Sequence, residues 1–451
     1  MSERAGRWVH SRRIVLGGLA AGLGLATLGQ PAWARQVTGD WVPELAGRWD
    51  VVFTVPAGDL ATVWVVEQTP SGVTSVATVG PNPMALSLRE VRRDGSSVRL
   101  SGPTSAGAAV LTTELHAARL EGRFTAGDMR GTFVATKRAD ARSHTVIEIF
   151  DQTIGIFEEM LFTPAPFDDA WAARKVEHRG TLEGATERDL VRVVRTLIAS
   201  TGLSHNDYLL EPTPQPATEA GRAEPAVTWR RLGGGLGLVR IASFVEDPAE
   251  RQRLDDAFTD LADTRGLIVD LRGNTGGNLG LAMRLGDRLF PAQTTVGSFA
   301  TRRALDAAGI ATMDALPDDA FEVFGGYEVE AFQDALTHAG AVRIATGGRA
   351  PTFSPPVALL IDGRCASTTE AMAAVIKESG RARLFGTATA GRMLSSRRLS
   401  VMDGYTLRIA YADFRTPGGL DVEGVGVTPD QVAGDGDAAV RAATSWLRSQ
   451  R

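Results

Sequence analysis

Two segments of the chain hold the residues best suited to chemistry. In Ala358–Met372, reading ALLIDGRCASTTEAM, a short apolar run passes through a Gly turn into a helix headed by Ser367. A hydroxyl there sits among unpaired main-chain N–H groups at the positive end of a helix dipole, which favours developing negative charge. Nucleophilic serines are often built this way. The same letters also spell S-x-x-E, a capping box in which Ser367 and Glu370 only satisfy orphan amides. Cys365, two residues earlier, is either a rival nucleophile or a small buried residue of the turn. The second segment, Gly266–Asn278 (GLIVDLRGNTGGN), starts as a buried strand over Leu267–Val269. Gly273, Asn274, Gly276 and Gly277 then break it into a loop whose backbone can approach a ligand closely and offer bare N–H groups.

Taken in this order, DLRGNTGG and CASTTE resemble the C-terminal processing, or tail-specific, serine peptidases and their tricorn-like relatives. The resemblance runs roughly from Thr186 to Asp430 and includes GLGLVRIASF before the Gly loop and the tail GGLDVEGVGVTPD. It implies an α/β fold with a crotonase-like ββα core, and an endopeptidase that cuts peptide or protein substrates through an acyl-enzyme on Ser367. It also implies an oxyanion hole made by the N–H of Thr368 with that of Gly276 or Gly277. Asp270 and Arg272 are expected to hold the Gly loop in shape as a structural ion pair.

A serine hydroxyl needs a base, and the tail-specific enzymes supply a lysine in a Gly-Lys step downstream of the serine. Here that step is Gly391-Arg392. A guanidinium stays protonated at physiological pH and cannot take a proton. The resemblance therefore points to the tricorn-like branch, whose histidine lies at the end of a helix upstream of the core; Ser204-His205-Asn206 matches that position. His205 would be the base, as a neutral imidazole can be near pH 7; otherwise it is a helix-end histidine bonding free carbonyls. In that branch a glutamate near the G-V-x-P-D tail completes the network, and Glu423 is the matching residue, with Ser204 as a polar relay. Read alone, Glu423 is equally a surface strand charge. Ser143-His144-Thr145 has similar letters but lies at the boundary of the β region, and His10, His116, His178 and His338 have no supporting context.

These residues must be positioned by the rest of the chain. Residues 1–34 read as an export signal of twin-arginine type, with Arg12-Arg13, an apolar run Ile14–Leu28 and Ala32-Trp33-Ala34 as cleavage site, so the protein is expected in the periplasm or outside the cell. Over residues 40–138, short alternating runs separated by turn residues such as Asp94-Gly95 predict an antiparallel barrel or sandwich. It resembles the lipocalin-like domains that accompany some peptidases, with Trp49, Phe53, Trp64, Phe124 and Phe133 as its core. Residues 142–210 turn helical, and Leu190, Val193, Val194, Leu197 and Ile198 form an amphipathic face behind a Thr186–Asp189 cap. A Pro- and Ala-rich stretch from Glu211 to Pro225 reads as a surface loop, with no room for the PDZ module that many of these peptidases carry there.

Residues 226–450 form the expected peptidase core: strands and helices alternate, predicting mainly parallel pairing, with an irregular segment over residues 300–350 that is expected over the site, a hairpin-rich tail SSRRLSVMDGYTLRIAYADF and a final helix Ala438–Leu447. The formal charge of −5, more negative still without residues 1–34, argues against nucleic acid as partner. A single cysteine excludes an internal disulfide framework. The scattered histidines give no metal spacing, and the Gly-rich stretches fail the nucleotide patterns, so neither metal nor cofactor is expected. An inactive ligand-binding relative, or an esterase or amidase on small acyl substrates, are the competing readings. Natural substrate and oligomeric state are left open.

Overall fold

The computed structural model describes residues 38–450, apart from residues 56–57, 70, 81–86, 89, 105–106, 214–224, 246, 349–352 and 435. The expected export signal and most of the Pro- and Ala-rich stretch lie outside the described residues.

The apolar runs of the two site segments become adjacent parallel strands, Gly266–Asp270 and Val357–Ile361. Leu267, Val269, Val357, Leu359 and Ile361 enter one hydrophobic core, while Ile268, Ala358 and Leu360 enter another. Covering on both faces explains why these runs are continuously apolar rather than alternating. They occupy the middle of a six-stranded sheet ordered Val227–Leu232, Leu236–Ile241, Gly266–Asp270, Val357–Ile361, Ala382–Gly386, Gln431–Val432. Pairing is parallel throughout except for the first hairpin. The final helix, Asp437–Ser449, closes one face with Ala439, Ala443 and Leu447. On the other face lie the helices Leu279–Leu289 and Thr368–Glu378.

A second, largely antiparallel sheet departs from the sequence reading. Its order is Asp207–Leu210, Tyr405–Arg415, Thr295–Thr301, Ala341–Ala345, Glu322–Phe324, with Ser395–Ser400 paired to Tyr405–Arg415. The segment expected to be irregular supplies part of it, together with the helices Arg302–Ala308 and Val329–Ala339. Apart from the Ser395–Ser400/Tyr405–Arg415 hairpin, which matches the expected hairpin-rich tail, its strands pair with partners well separated in sequence, so local pattern does not reveal them.

Toward the N-terminus, Thr38–Lys137 forms a ten-stranded sheet, antiparallel except where Thr38–Gly39 meets Glu90–Asp94. It curls until the Ser87–Leu88 strand lies against Ser97–Thr104, which makes it nearly closed. Phe53, Trp64, Phe124 and Phe133 fill the interior with ring centroids 5.0 to 6.0 Å apart, and Trp49 joins them. Trp64 and Val66 point inward; their neighbours Val63 and Val65 point outward into a helical layer.

That layer contains helices Val146–Met160, Asp169–Gly180 and Glu187–Ala199. The last begins with the expected cap, Asp189 N–H donating to Thr186 Oγ1 at 3.2 Å, and buries Leu190, Val193, Val194, Leu197 and Ile198. It ends at Gly202, φ 73°, and the chain enters the second sheet as Asp207–Leu210. The two ends of the Ser204–His205 link are thereby fixed by a helix and a strand. Among the described residues no helix is long and apolar enough to cross a membrane.

Arg48, only 3% exposed, ties the barrel to this frame. It donates to Glu187 Oε2 at 2.9 Å, Asp140 Oδ2 at 3.2 Å and the Asp403 carbonyl at 2.7 Å. The Tyr405 hydroxyl donates to the same Glu187 oxygen at 2.6 Å. Asp403 accepts from Ser143 Oγ at 2.6 Å and His144 N–H at 3.0 Å, so Ser143-His144 is a structural clasp. Replacing Glu187 by Ala strands a buried guanidinium and is expected to cost about 3–5 kcal/mol. Denaturant unfolding measures this, and an unchanged midpoint would show that the Arg48–Glu187 pair contributes nothing.

Candidate active site

Asp270 and Leu360 are register partners, so the Gly loop and the serine turn leave their strands side by side. Crevices for ligands form at such carboxyl ends of parallel strands. Arg272 returns to Asp270 through Nε at 2.8 Å and a second guanidinium nitrogen at 2.7 Å, which is the expected ion pair. Gly273 N–H donates to Asp362 Oδ1 at 3.0 Å and ties the loop to the neighbouring turn. The wholly buried Asn274 holds the loop from within, donating to the Ile241 carbonyl at 3.1 Å and accepting from Gly276 N–H at 2.9 Å.

That last bond removes Gly276 as an oxyanion donor, since its N–H is already spent on Asn274. Gly277 is the alternative, and its N–H meets no acceptor among the described residues. Gly276 instead provides closeness: a Cβ there would lie 2.7 Å from the Ala366 carbonyl oxygen and 2.8 Å from Ser367 Cβ. At Gly277, φ 131°, a Cβ would fall 2.2 Å from the Phe244 carbonyl oxygen. Glycine is required at both positions.

Ser367 stands at the N-cap of Thr368–Glu378 with φ 58° and ψ −129°, and its hydroxyl makes no cap hydrogen bond. Glu370 bonds the Ser367 N–H at 3.1 Å, while Glu370 N–H donates to the Ser367 carbonyl at 2.7 Å. The hydroxyl is left for another partner. Cys365 is buried, donates to the Leu271 carbonyl at 3.1 Å, and has its thiol pushed up to about 12 by burial. It is not a nucleophile at neutral pH.

The partner of Ser367 is His205, whose Nε2 lies 3.2 Å from Oγ. His205 Nδ1 lies 2.6 Å from Ser204 Oγ, which donates onward to Glu423 Oε2 at 2.8 Å. The other Glu423 oxygen accepts Ser204 N–H at 2.7 Å. Since the Ser204 hydroxyl hydrogen is committed to Glu423, its lone pair faces Nδ1. That selects the tautomer with a proton on Nδ1 and a free lone pair on Nε2. Burial, then the charges of Arg408 and Arg392, lower the imidazole pKa to about 4. The ring is therefore neutral at physiological pH.

Sequence reading missed the second role of Glu370. Beyond the Ser367 N–H, this wholly buried carboxylate accepts Thr389 Oγ1 at 2.5 Å, Gly391 N–H at 2.7 Å and Arg392 N–H at 2.8 Å. The next residue, Met393, donates its N–H to Glu423 at 2.7 Å. The stretch Thr389–Met393 thus hangs between two carboxylates, with the Arg392 side chain exposed. A capping-box glutamate was the only signal for Glu370, and it did not disclose burial. The Thr368 N–H, in the first helical turn, has no intrahelical acceptor, so it and Gly277 N–H are the donors on offer beside Oγ. His116, His178 and His338 lie elsewhere, His10 falls outside the described residues, and among those described no cluster could hold a metal ion.

A cavity of about 410 Å³ opens on the pair, with an apolar wall of Leu279, Met283, Phe299, Phe332, Ile344 and Met393 and a polar one that includes Ser243, Thr275, Gln333, Ser396 and Arg408. Phe332 on its helix and Ile344 on its strand thus bring part of the segment 300–350 to the border of the site. Gly276→Ala should push the loop off Ser367 and lower stability by about 1–3 kcal/mol. Thermal unfolding reads this; a variant as stable as the parent would mean that the tight approach is not required.

Residues 235–433 match the profile of Peptidase family S41. The chain is 26% identical over 197 residues to the chloroplastic C-terminal processing peptidase of Tetradesmus obliquus, covering 43% of this chain and 34% of that one. It is 24% identical over 208 residues to a carboxy-terminal-processing protease of Bartonella bacilliformis, covering 45% and 39%. The chain thus spans little more than a third of the length of these relatives. A structure from Parabacteroides merdae, provisionally described as a peptidase, superposes with TM-score 0.51 at 15% identity over 68% of this chain and 98% of that one, which shows a shared fold. Ser367, the Gly loop and Glu423 fall inside the matched span, whereas Ser204 and His205 precede it. It is through residues 235–433, therefore, that this chain is similar to Peptidase family S41.

Proposed function

We propose that the chain is a serine peptidase that hydrolyses peptide bonds through an acyl-enzyme, with Ser367 as nucleophile and His205 as general base. The 3.2 Å approach of His205 Nε2 to Ser367 Oγ carries this reading. As Oγ attacks the scissile carbonyl carbon, its proton passes to Nε2. The imidazolium that forms is stabilised by Ser204, which accepts from Nδ1–H and relays to the Glu423 carboxylate. The tetrahedral oxyanion takes hydrogen bonds from Thr368 N–H and Gly277 N–H at the head of the helix. The imidazolium then gives its proton to the leaving amine, and water activated by the same base hydrolyses the ester.

Arg392 stands where the lysine-dependent relatives are expected to hold their base, and it cannot take that role. The apolar wall of the cavity, Leu279, Met283, Phe299, Phe332, Ile344 and Met393, would take a large apolar side chain next to the cut. Two sheets with helices on the core face support a crotonase-like description, with residues 226–450 as peptidase core and 142–210 as the segment that delivers the base. Residues 40–138 would be a lipocalin-like accessory, and residues 1–34 an export signal that directs the chain to the periplasm or beyond.

Hydrolysis of a peptide library tests the reading. Ser367→Ala and His205→Ala are each expected to lower kcat by about 10⁴-fold or more, and Arg392→Ala far less; full activity in Ser367→Ala ends the proposal. Peptides with a large apolar residue beside the cut should exceed charged analogues by roughly 10–100-fold in kcat/KM, and should be cut in preference to short esters. Because the His205 pKa is lowered to about 4, the base loses its function only as pH falls toward that value. The acid limb of kcat/KM should then lie well below 6.5, and a limb at 6.5 or above would contradict the neutral, desolvated imidazole.

A further inference from the structure

The cavity of about 410 Å³, apolar along one wall, meets another at the Ser367–His205 pair. The other, of about 560 Å³, shares Thr275, His205, Ser367 and Arg408 with the first and adds Arg364 and Arg392. Its lining holds three guanidinium groups and no carboxylate. This is not a by-product of basic composition, for the chain carries a formal charge of −5.

None of the three cations is well neutralised among the described residues. Arg408 donates Nε to Ser396 Oγ at 3.0 Å. Its cross-strand neighbour Asp207 is engaged by Arg195 at 2.9 Å. Arg364 is 75% exposed and reaches Asp362 only at 3.4 Å. Arg392 is anchored through its main chain, by its N–H on Glu370 and its carbonyl accepting Ser367 N–H at 2.8 Å, and its exposed side chain has no ion-pair partner among the described residues. Three like charges around one crevice repel one another, and partial burial of Arg408 adds a desolvation cost. An anion entering the crevice would relieve both.

We propose that Arg364, Arg392 and Arg408 form an anion subsite that takes a substrate carboxylate beside the scissile bond. Together with the apolar wall of the first cavity, it selects peptides with a large apolar side chain on one side of the cut and a carboxylate on the other. The carboxylate is an acidic side chain or a free chain terminus, two sources of the same chemistry. This rests on the peptidase reading and extends it to substrate class. Arg408 and Arg392 also hold down the basicity of His205, so a bound carboxylate that offsets their field should raise kcat as well as lower KM.

Three peptides sharing one apolar residue before the cut test this: one with Glu after it and an amidated end, one with Gln and an amidated end, and one with Gln and a free terminal carboxylate. At least one carboxylate peptide should exceed the neutral one by about tenfold or more in kcat/KM, and whichever does so identifies the source. That ratio should shrink at about 0.5 M salt and fall toward one in an Arg364→Gln/Arg392→Gln double variant whose unfolding midpoint shows it to be folded. Equal rates for all three peptides, or a ratio that survives the double variant, overturn the subsite alone. Failure to cut any peptide overturns the peptidase reading, and the subsite with it.

Discussion

His205 and Ser367 both sit in backbone conformations that L-residues avoid, with φ of 61° and 58°. Among the described residues the only other non-glycine at positive φ is Asp403, in the clasp on Ser143 and His144. Each such conformation costs about 1–3 kcal/mol and persists only when its surroundings over-determine it. Here those surroundings are two carboxylates. Glu370 accepts four hydrogen bonds around the serine turn, and Glu423 accepts three around Ser204 and Met393. The meeting of hydroxyl and imidazole depends on these two anions more than on any direct attraction between the pair.

Because both anions also grip Thr389–Met393, one short stretch of backbone carries the serine turn and the histidine link at once. The side chain at position 392 plays no part in that grip, so its identity can change without moving the backbone. This is a physical route by which a lysine-type site could lose its lysine and keep its geometry, provided that another base arrives. His205, the proposed base, comes from a different layer: a helix capped at Thr186 ends beside the core, and a strand on the second sheet takes over after His205. The barrel is fastened to the first turn of that helix by the Arg48–Glu187–Tyr405 contacts, so the position of the imidazole is coupled to the N-terminal sheet.

Much of the local structure was legible in the residues. The Thr186 cap, the amphipathic face behind it, the two apolar strands and the aromatic barrel core follow from spacing and composition, which report on neighbours within one element. Beyond its hairpin of Ser395–Ser400 and Tyr405–Arg415, the second sheet was not legible, because Asp207–Leu210, Thr295–Thr301, Ala341–Ala345 and Tyr405–Arg415 pair across long separations in the chain. The same limit applies to the site. Ser143-His144 and Ser204-His205 are nearly the same letters, and only the fold sends one to Asp403 and the other to Ser367. Likewise Gly276 and Gly277 are indistinguishable in sequence until Asn274 claims the N–H of the first. Glu370 read as a cap because sequence records its spacing and not its burial.

The most direct measurement of the central claim is covalent labelling by a fluorophosphonate, followed by intact mass and peptide mapping, on the parent chain and on His205→Ala. A hydroxyl activated by the imidazole across the crevice should yield a single adduct on Ser367 in the parent and almost none in the variant at equal exposure. Labelling that proceeds undiminished without His205, or an adduct on Cys365 in place of Ser367, would contradict it.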